Sequence, residues 1–149
     1  MFKNILVAVD GSDTSDLAMQ TAIKFAKDQH ATLHVVHVAD EFLEATGEIA
    51  IDFQKHEKMI RESGQAILNK METLAHQSKI SIETHLIEIT EYADHIPEKL
   101  VKAADQHHAG LIIIGTHGRH GFKRFLLGSV AEGVARLASV PVLLIRGKQ

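Results

Sequence analysis

Two glycine turns frame a basic stretch in the last third of the chain. Gly115-Thr116-His117-Gly118 is followed, after nine residues, by Gly128-Ser129, with Arg119, His120, Lys123 and Arg124 in between. Glycines let backbone N–H groups approach an anion closely and adopt φ > 0, which forms an anion-binding concavity. Ser129-Val130-Ala131-Glu132 then reads as a capping box at a helix start. The unsatisfied amides and positive dipole end of such a helix favour negative charge. The Ser129 hydroxyl is expected to cap its own helix, with a phosphate contact as the alternative. Basic residues alone describe any solvated loop, but their concentration between two glycine turns favours anion binding. The chemistry predicted is phosphate holding. Neither G-x-x-x-x-G-K-[ST] nor a helix-opening G-x-G-x-x-G occurs, so P-loop hydrolysis and the usual dinucleotide mode explain the loop poorly.

The elements that would position this loop follow from hydrophobic periodicity. Ile5-Leu6-Val7-Ala8-Val9 is a short apolar run ending at Asp10-Gly11-Ser12, as a strand buried on both faces should be. Leu17, Ala18, Thr21, Ala22, Phe25 and Ala26 recur at helical spacing behind the N-cap candidates Ser12, Asp13 and Thr14. A second strand is predicted over 31–38 and a long helix over 51–76. That helix carries Phe53, Ile60, Ile67 and Leu74 seven apart, with Gly64 and Met71 in the same stripe. Ile80, Ile82, Thr84 and Leu86 alternate as a third strand. Ile96, Leu100, Ala103 and Ala104 share a helix face, with Pro97 in the first turn and Gly110 marking the end. Leu111-Ile112-Ile113-Ile114 reads as a central parallel strand. Val130, Val134 and Leu137 give the next helix its buried face, and Val142-Leu143-Leu144-Ile145 closes the sheet. The segment 41–50 is irregular, a lid or a simple connection.

Strict alternation of strand and helix implies a parallel sheet with helices on both faces. The fold class expected is α/β, one doubly wound, Rossmann-like domain over residues 1–149. With the common five-strand order 3-2-1-4-5, the order reverses between the first and fourth strands. Ligands of open parallel sheets bind outside the carboxyl ends at that point. The loops there are Asp10-Gly11-Ser12 and the one beginning at Gly115. Topology and composition thus indicate one site independently.

The bulk composition narrows the function classes. The 149 residues are 45% hydrophobic and 23% charged, with a net charge of −3, which argues against a nucleic-acid or anionic-membrane binder. No cysteine is present, which excludes disulfides, thiolate metal sites and thiol catalysis and fits a reducing compartment. The N-terminal residues lack a signal-peptide layout and no apolar run reaches membrane-spanning length, so a cytoplasmic location is expected. The 11 histidines admit a pH-sensing reading, but scattered surface histidines are the favoured one. No metal site is expected: residues three apart on a strand face opposite sides, which separates His34 from His37, and His107-His108 end a helix where cations suit the dipole.

With these landmarks in order, the chain resembles the universal stress protein family, whose ATP-binding members carry G-x₂-G-x₉-G-[ST] after the fourth strand. Gly115, Gly118, Gly128 and Ser129 match each fixed position. The likeness extends over the opening Lys3-Asn4-Ile5-Leu6-Val7-Ala8-Val9-Asp10-Gly11-Ser12, over His37-Val38-Ala39-Asp40, and over the close Val140-Pro141-Val142-Leu143-Leu144-Ile145. It implies a fold like that of the adenine nucleotide alpha hydrolases and an ATP site (or one for ADP or AMP). In that site Asp10 lies near the adenosine and Val38 offers backbone contacts to adenine. Val9 and Ile114 line the base or sugar. Gly115, Gly118, Gly128, Ser129 and Val130 hold ribose and phosphates, with His117 and Arg119 beside them. Many members carry a hydroxyl just after the Ser-Val pair; Ala131 stands there, which removes one side-chain contact. Mg²⁺ is implied only as a companion of the triphosphate, because no carboxylate pair in the loop would hold it. The family also implies a homodimer through the last strand, consistent with the apolar edge at Val142-Ile145.

Three function classes follow: a nucleotide-dependent stress-response regulator, a slow ATPase or phosphotransferase, and an interaction module with an empty pocket. Efficient turnover needs a positioned base or nucleophile, and nothing in the sequence pairs with His117 or His120. The intact glycine set favours the binder over the empty module. The regulator is the expected function.

Overall fold

The computed structural model describes residues 2–40, 53–118 and 127–147. The two apolar runs become the centre of the sheet: β1 (Asn4–Ala8) pairs on one side with β2 (Thr32–Asp40) and on the other with β4 (Leu111–Gly115). The edges are β3 (Ser81–Ile89) and β5 (Val142–Ile145). Every pairing is parallel, as the alternation of elements predicts, and the order is the expected, common five-strand one, β3-β2-β1-β4-β5. Among the described residues four helices lie in the crossovers: α1 (Asp13–Gln29), α2 (Phe53–His76), α3 (Ile96–Gln106) and α4 (Ser129–Leu137).

Because side chains alternate along a strand, each central strand feeds two cores. Ile5, Val7, Leu33, Val35 and Ile113 pack with Met19, Leu68 and Met71 of α1 and α2. Leu6, Ala8, Val36, Ile112 and Ile114 pack with Leu100, Ala103 and Val134 of α3 and α4. Each fully buried aliphatic side chain is worth about 1.5–3 kcal/mol against exposure. No helix among the described residues is long and apolar enough to cross a membrane.

Local chemistry sets the helix ends. Ser12 caps α1 by accepting from the Ser15 amide at 3.2 Å, with Asp13 and Asp16 in the first turn. His30 takes the left-handed position after α1 (φ 51°), and the Ala31 amide reaches back to the Ala26 carbonyl at 2.9 Å. The end of α3 repeats this motif. Here His108 is left-handed (φ 52°) and the Ala109 amide bonds the Ala104 carbonyl at 2.9 Å. Gly110 is therefore not the helix stop that its position suggests; its amide donates to the Asn4 carbonyl instead.

Two predicted helix faces shift. The buried residues of α2 are Ile60, Gly64, Leu68, Met71 and Ala75, whereas Phe53 is 55% exposed. A straight helix drifts relative to a seven-residue repeat, so a stripe drawn at that spacing rotates off the core. Gly64 earns its place by contact: a Cβ there would lie 2.7 Å from His37 Cδ2 and 2.8 Å from Leu86 Cδ1. In α4 the buried residues are Ala131, Gly133 and Val134, while Leu137 is 45% exposed. A Cβ on Gly133 would meet the Pro97 ring at 2.6 Å, so α4 turns its small residues, rather than Leu137, toward α3.

Candidate functional site

The strand order reverses between β1 and β4, and a cavity of about 370 Å³ opens at their carboxyl ends. That volume lies within the range of small-molecule sites, roughly 300–1,000 Å³. Val9, Asp10, Val38, Ile114, Gly115, His117, Gly118, Gly128, Ser129 and Val130 all line it. Arg119, the remaining predicted residue, lies outside the described residues, as do His120, Lys123, Arg124 and the segment 41–50.

The exit of β1 forms one wall. Gly11 adopts φ 84°, which only glycine tolerates without strain. The turn lets the Ser12 amide donate to Asp10 Oδ1 at 2.9 Å, while the Asp10 amide donates to Ser15 Oγ at 3.2 Å. The Asp10 carboxylate is thereby fixed at the rim, facing the Gly118 backbone. A Cβ on Gly118 would run into Asp10 Oδ2.

The floor comes from β2. His37 is 6% exposed and its Nδ1–H donates to the Val9 carbonyl at 2.7 Å, pinning the end of β1. Pairing of β1 with β2 ends at Ala8 and Val36, and the Val36 carbonyl accepts from the Val9 amide at 2.9 Å. Backbone groups two residues apart along a strand point the same way. The N–H and C=O of Val38 therefore point past the end of β1, beside the cavity. This donor–acceptor pair suits the edge of a planar heterocycle.

The other wall is the start of α4. Gly128 is the N-cap (φ −60°, ψ 151°) and makes no side-chain cap bond. The helical ladder begins with the Glu132 amide on the Gly128 carbonyl at 2.9 Å, so the amides of Ser129, Val130 and Ala131 precede it. The predicted cap at Ser129 is thus corrected: Ser129 is the first helical residue, and it lines the cavity. Glycine is needed at 128 because a Cβ would lie 2.7 Å from the Thr116 carbonyl oxygen. Of the two glycine roles expected in the loop, close approach and φ > 0, the described loop glycines fill the first. Among the described residues only Gly11 is a positive-φ glycine, and Gly115, Gly118 and Gly128 serve close approach.

His117 Nδ1 lies 2.9 Å from Thr116 Oγ1. Its Nε2 is buried without a hydrogen-bond partner among the described residues, which leaves one polar atom of the cavity wall unsatisfied. The wall also includes Ser15, His37, Asp40, Ile96 and Thr116, which sequence reasoning did not single out. Thr116 was legible as the residue between Gly115 and His117, whereas Ile96 reaches the site only through the packing of α3. Electrostatically the cavity is divided, with carboxylates of Asp10 and Asp40 toward β1 and β2 and, toward α4, helix amides that have no partner among the described residues. Such a division suits a ligand with hydroxyls at one end and an anion at the other.

Comparison with known proteins agrees with this architecture. A universal stress protein of Methanocaldococcus jannaschii is 33% identical, with 98% of this chain and 83% of that protein covered. A solved member of the same family from Burkholderia pseudomallei is 31% identical, with a TM-score of 0.76 over 97% of this chain and 96% of that one. Two further solved universal stress proteins are each 25% identical over 97% of this chain. One is a complex with cAMP (TM-score 0.69, 97% of that chain covered), and the other, from Archaeoglobus fulgidus, is a complex with dAMP (TM-score 0.66, 98% of that chain covered). The model of the universal stress protein family matches residues 1–146, and the chain belongs to that family.

Proposed function

We propose that this protein binds an adenine nucleotide, ATP in the first instance, and acts as a nucleotide-dependent stress-response regulator. The observation that carries the reading is the convergence of the Val38 backbone edge, the fixed Asp10 carboxylate and the first-turn amides of α4 on one cavity. Adenine lies against Val9, Val38 and Ile114, its edge hydrogen-bonded to the Val38 main chain. The ribose hydroxyls donate to Asp10. The phosphates accept from the amides of Ser129 and Val130, with the Ser129 hydroxyl and His117 Nε2 as side-chain donors. Mg²⁺ accompanies a bound triphosphate, its ligands mostly phosphate and water oxygens. The nucleotide complexes of the two related structures support the adenine assignment.

The protein is proposed to work as a homodimer in the cytoplasm, joined through β5. Its regulatory output is a change of partner or conformation on nucleotide binding rather than turnover. Mass spectrometry of small molecules released from protein purified out of cells tests the ligand class. Stoichiometric adenine nucleotide is the expected result, and repeated absence, together with no heat of binding for ATP, ADP, AMP or cAMP, overturns it.

A further inference from the structure

At the end of the sheet remote from the cavity, three histidines that no sequence motif connects meet one carboxylate. His34, the third residue of β2, is 5% exposed and stands in register between Leu6 of β1 and Glu83 of β3. His85 lies two positions further along β3 and so shares a face with Glu83. His107 is the C-cap of α3, the helix that covers this face. His34 Nδ1 is 3.1 Å from His85 Nε2 and 3.5 Å from Glu83 Oε2, and His85 Nε2 is 3.9 Å from the same oxygen. One ligand atom from each of the four residues lies within 4.8 Å of the others.

These separations bracket the edge of a coordination polyhedron and reach beyond it. Tetrahedral Zn²⁺ with bonds of about 2.0–2.1 Å holds its ligand atoms roughly 3.4 Å apart. The imidazoles stack, with ring centroids 4.0 Å apart for His85 and His107 and 4.8 Å for His34 and His107. Coordination requires the His85 and His107 rings to unstack, which rotation about χ2, a broad torsion for histidine, permits. His34 is already oriented. Its Nε2–H donates to Asn4 Oδ1 at 3.1 Å, which fixes the tautomer and leaves the Nδ1 lone pair toward the cluster. A carbonyl oxygen on the distal ring nitrogen is the usual support of a metal-bound histidine. The carbonyl end of α3 adds a negative potential that favours a cation. The Glu83 side chain is 58% exposed and gives the ion an entry path.

We propose that His34, Glu83, His85 and His107 form a four-coordinate Zn²⁺ site that clamps β2, β3 and α3 together at the end of the sheet opposite the cavity. Imidazole and carboxylate ligands without thiolate suit Zn²⁺ and its borderline neighbours rather than Mg²⁺ or Ca²⁺. The rejected sequence pairings explain why the site is not visible in the primary structure. His34 and His37 do face opposite sides of the sheet, and His107 is joined by residues of β2 and β3 rather than by its neighbour His108. The site is independent of the nucleotide assignment, since none of its residues lines the cavity.

The test is calorimetric titration of chelator-treated protein with ZnCl₂, without nucleotide, alongside thermal unfolding. Wild type should bind one Zn²⁺ per chain and melt at higher temperature when loaded. His107→Gln and Glu83→Gln should each weaken binding by about a hundredfold or more and remove the thermal shift, and Asn4→Ala should weaken it by about tenfold. His76→Gln, on the exposed face of α2, should bind as wild type does. Co²⁺ in place of Zn²⁺ should give the intense visible absorption of tetrahedral coordination. No saturable binding to wild type, or unchanged affinity in His107→Gln and Glu83→Gln, overturns the proposal.

Discussion

The amide of Gly128 donates to the carbonyl of Thr116 at 2.7 Å, tying the start of α4 directly to the end of β4. The two ends of the glycine-framed loop are thus joined at its base, and the first-turn amides of α4 are held beside Asp10 and His117. Gly128→Val should break this closure. Its Cβ would lie 2.7 Å from the same Thr116 oxygen, a backbone atom that cannot swing aside. The variant should lose about 1–3 kcal/mol of stability by denaturant unfolding and lose measurable ATP binding by calorimetry. Unchanged ATP affinity would place the nucleotide elsewhere.

Ser129→Ala should separate binding from stability. Ser129 is the first helical residue rather than the N-cap, so stability should change by less than about 0.5 kcal/mol. A hydrogen bond to a charged group is worth about 1.5–3 kcal/mol, so ATP affinity should fall by about tenfold or more. A thermal melt and a titration on the same sample check both. A large loss of stability with affinity retained would restore the capping role.

The histidine cluster makes metal-free protein sensitive to acid. Burial, then the neighbouring His107, lowers the His34 pKa from its ordinary 6.5, with Glu83 opposing. His85 is lowered by burial, then by His107 and His34, again against Glu83. The unfolded chain therefore takes up these protons at higher pH than the folded chain does. Stability contributed by the neutral rings is intact above about pH 6.5 and is lost as pH falls from there toward the folded-state values. Urea unfolding in chelator at about pH 7.5 and about pH 5.5 should show the loss, and His85→Gln should flatten it. A stability that rises on acidification over this interval would contradict the assignment.

The edge of β5 carries the dimer prediction. Pro141 and Ile145 direct their carbonyls to the amides of Ile112 and Thr116, so the alternate residues Val142 and Leu144 turn their backbone groups to the open edge. Wild type should sediment as a dimer at micromolar concentration. Val142→Pro removes one outward donor without touching the β4 ladder and should shift the population toward monomer. A wild-type monomer throughout that range would count against pairing through this strand.

Much of this arrangement was legible in the sequence, for identifiable reasons. Apolar runs such as Leu111-Ile112-Ile113-Ile114 mark strands buried on both faces, and strict alternation with helices leaves few topologies. Val9 and Gly115 could be placed together because the order reversal puts their strand ends side by side, and Gly128 joins them as the start of the helix that follows the loop. Details that depend on packing were not legible. The exposure of Phe53 and the burial of Leu68 follow from where α2 lies on the sheet, and Ser129 loses the capping role because Gly128 approaches Thr116. The cluster of His34, His85 and His107 joins residues far apart in the chain, and its one trace in the sequence is an excess of histidine.

Backbone amide chemical shifts recorded during titration with ATP test the central claim most directly. Saturable changes should concentrate at Val38, Gly118, Ser129 and Val130 and leave the Glu83–His85 end of β3 unmoved. No saturable change, or changes centred away from these four residues, would contradict the account.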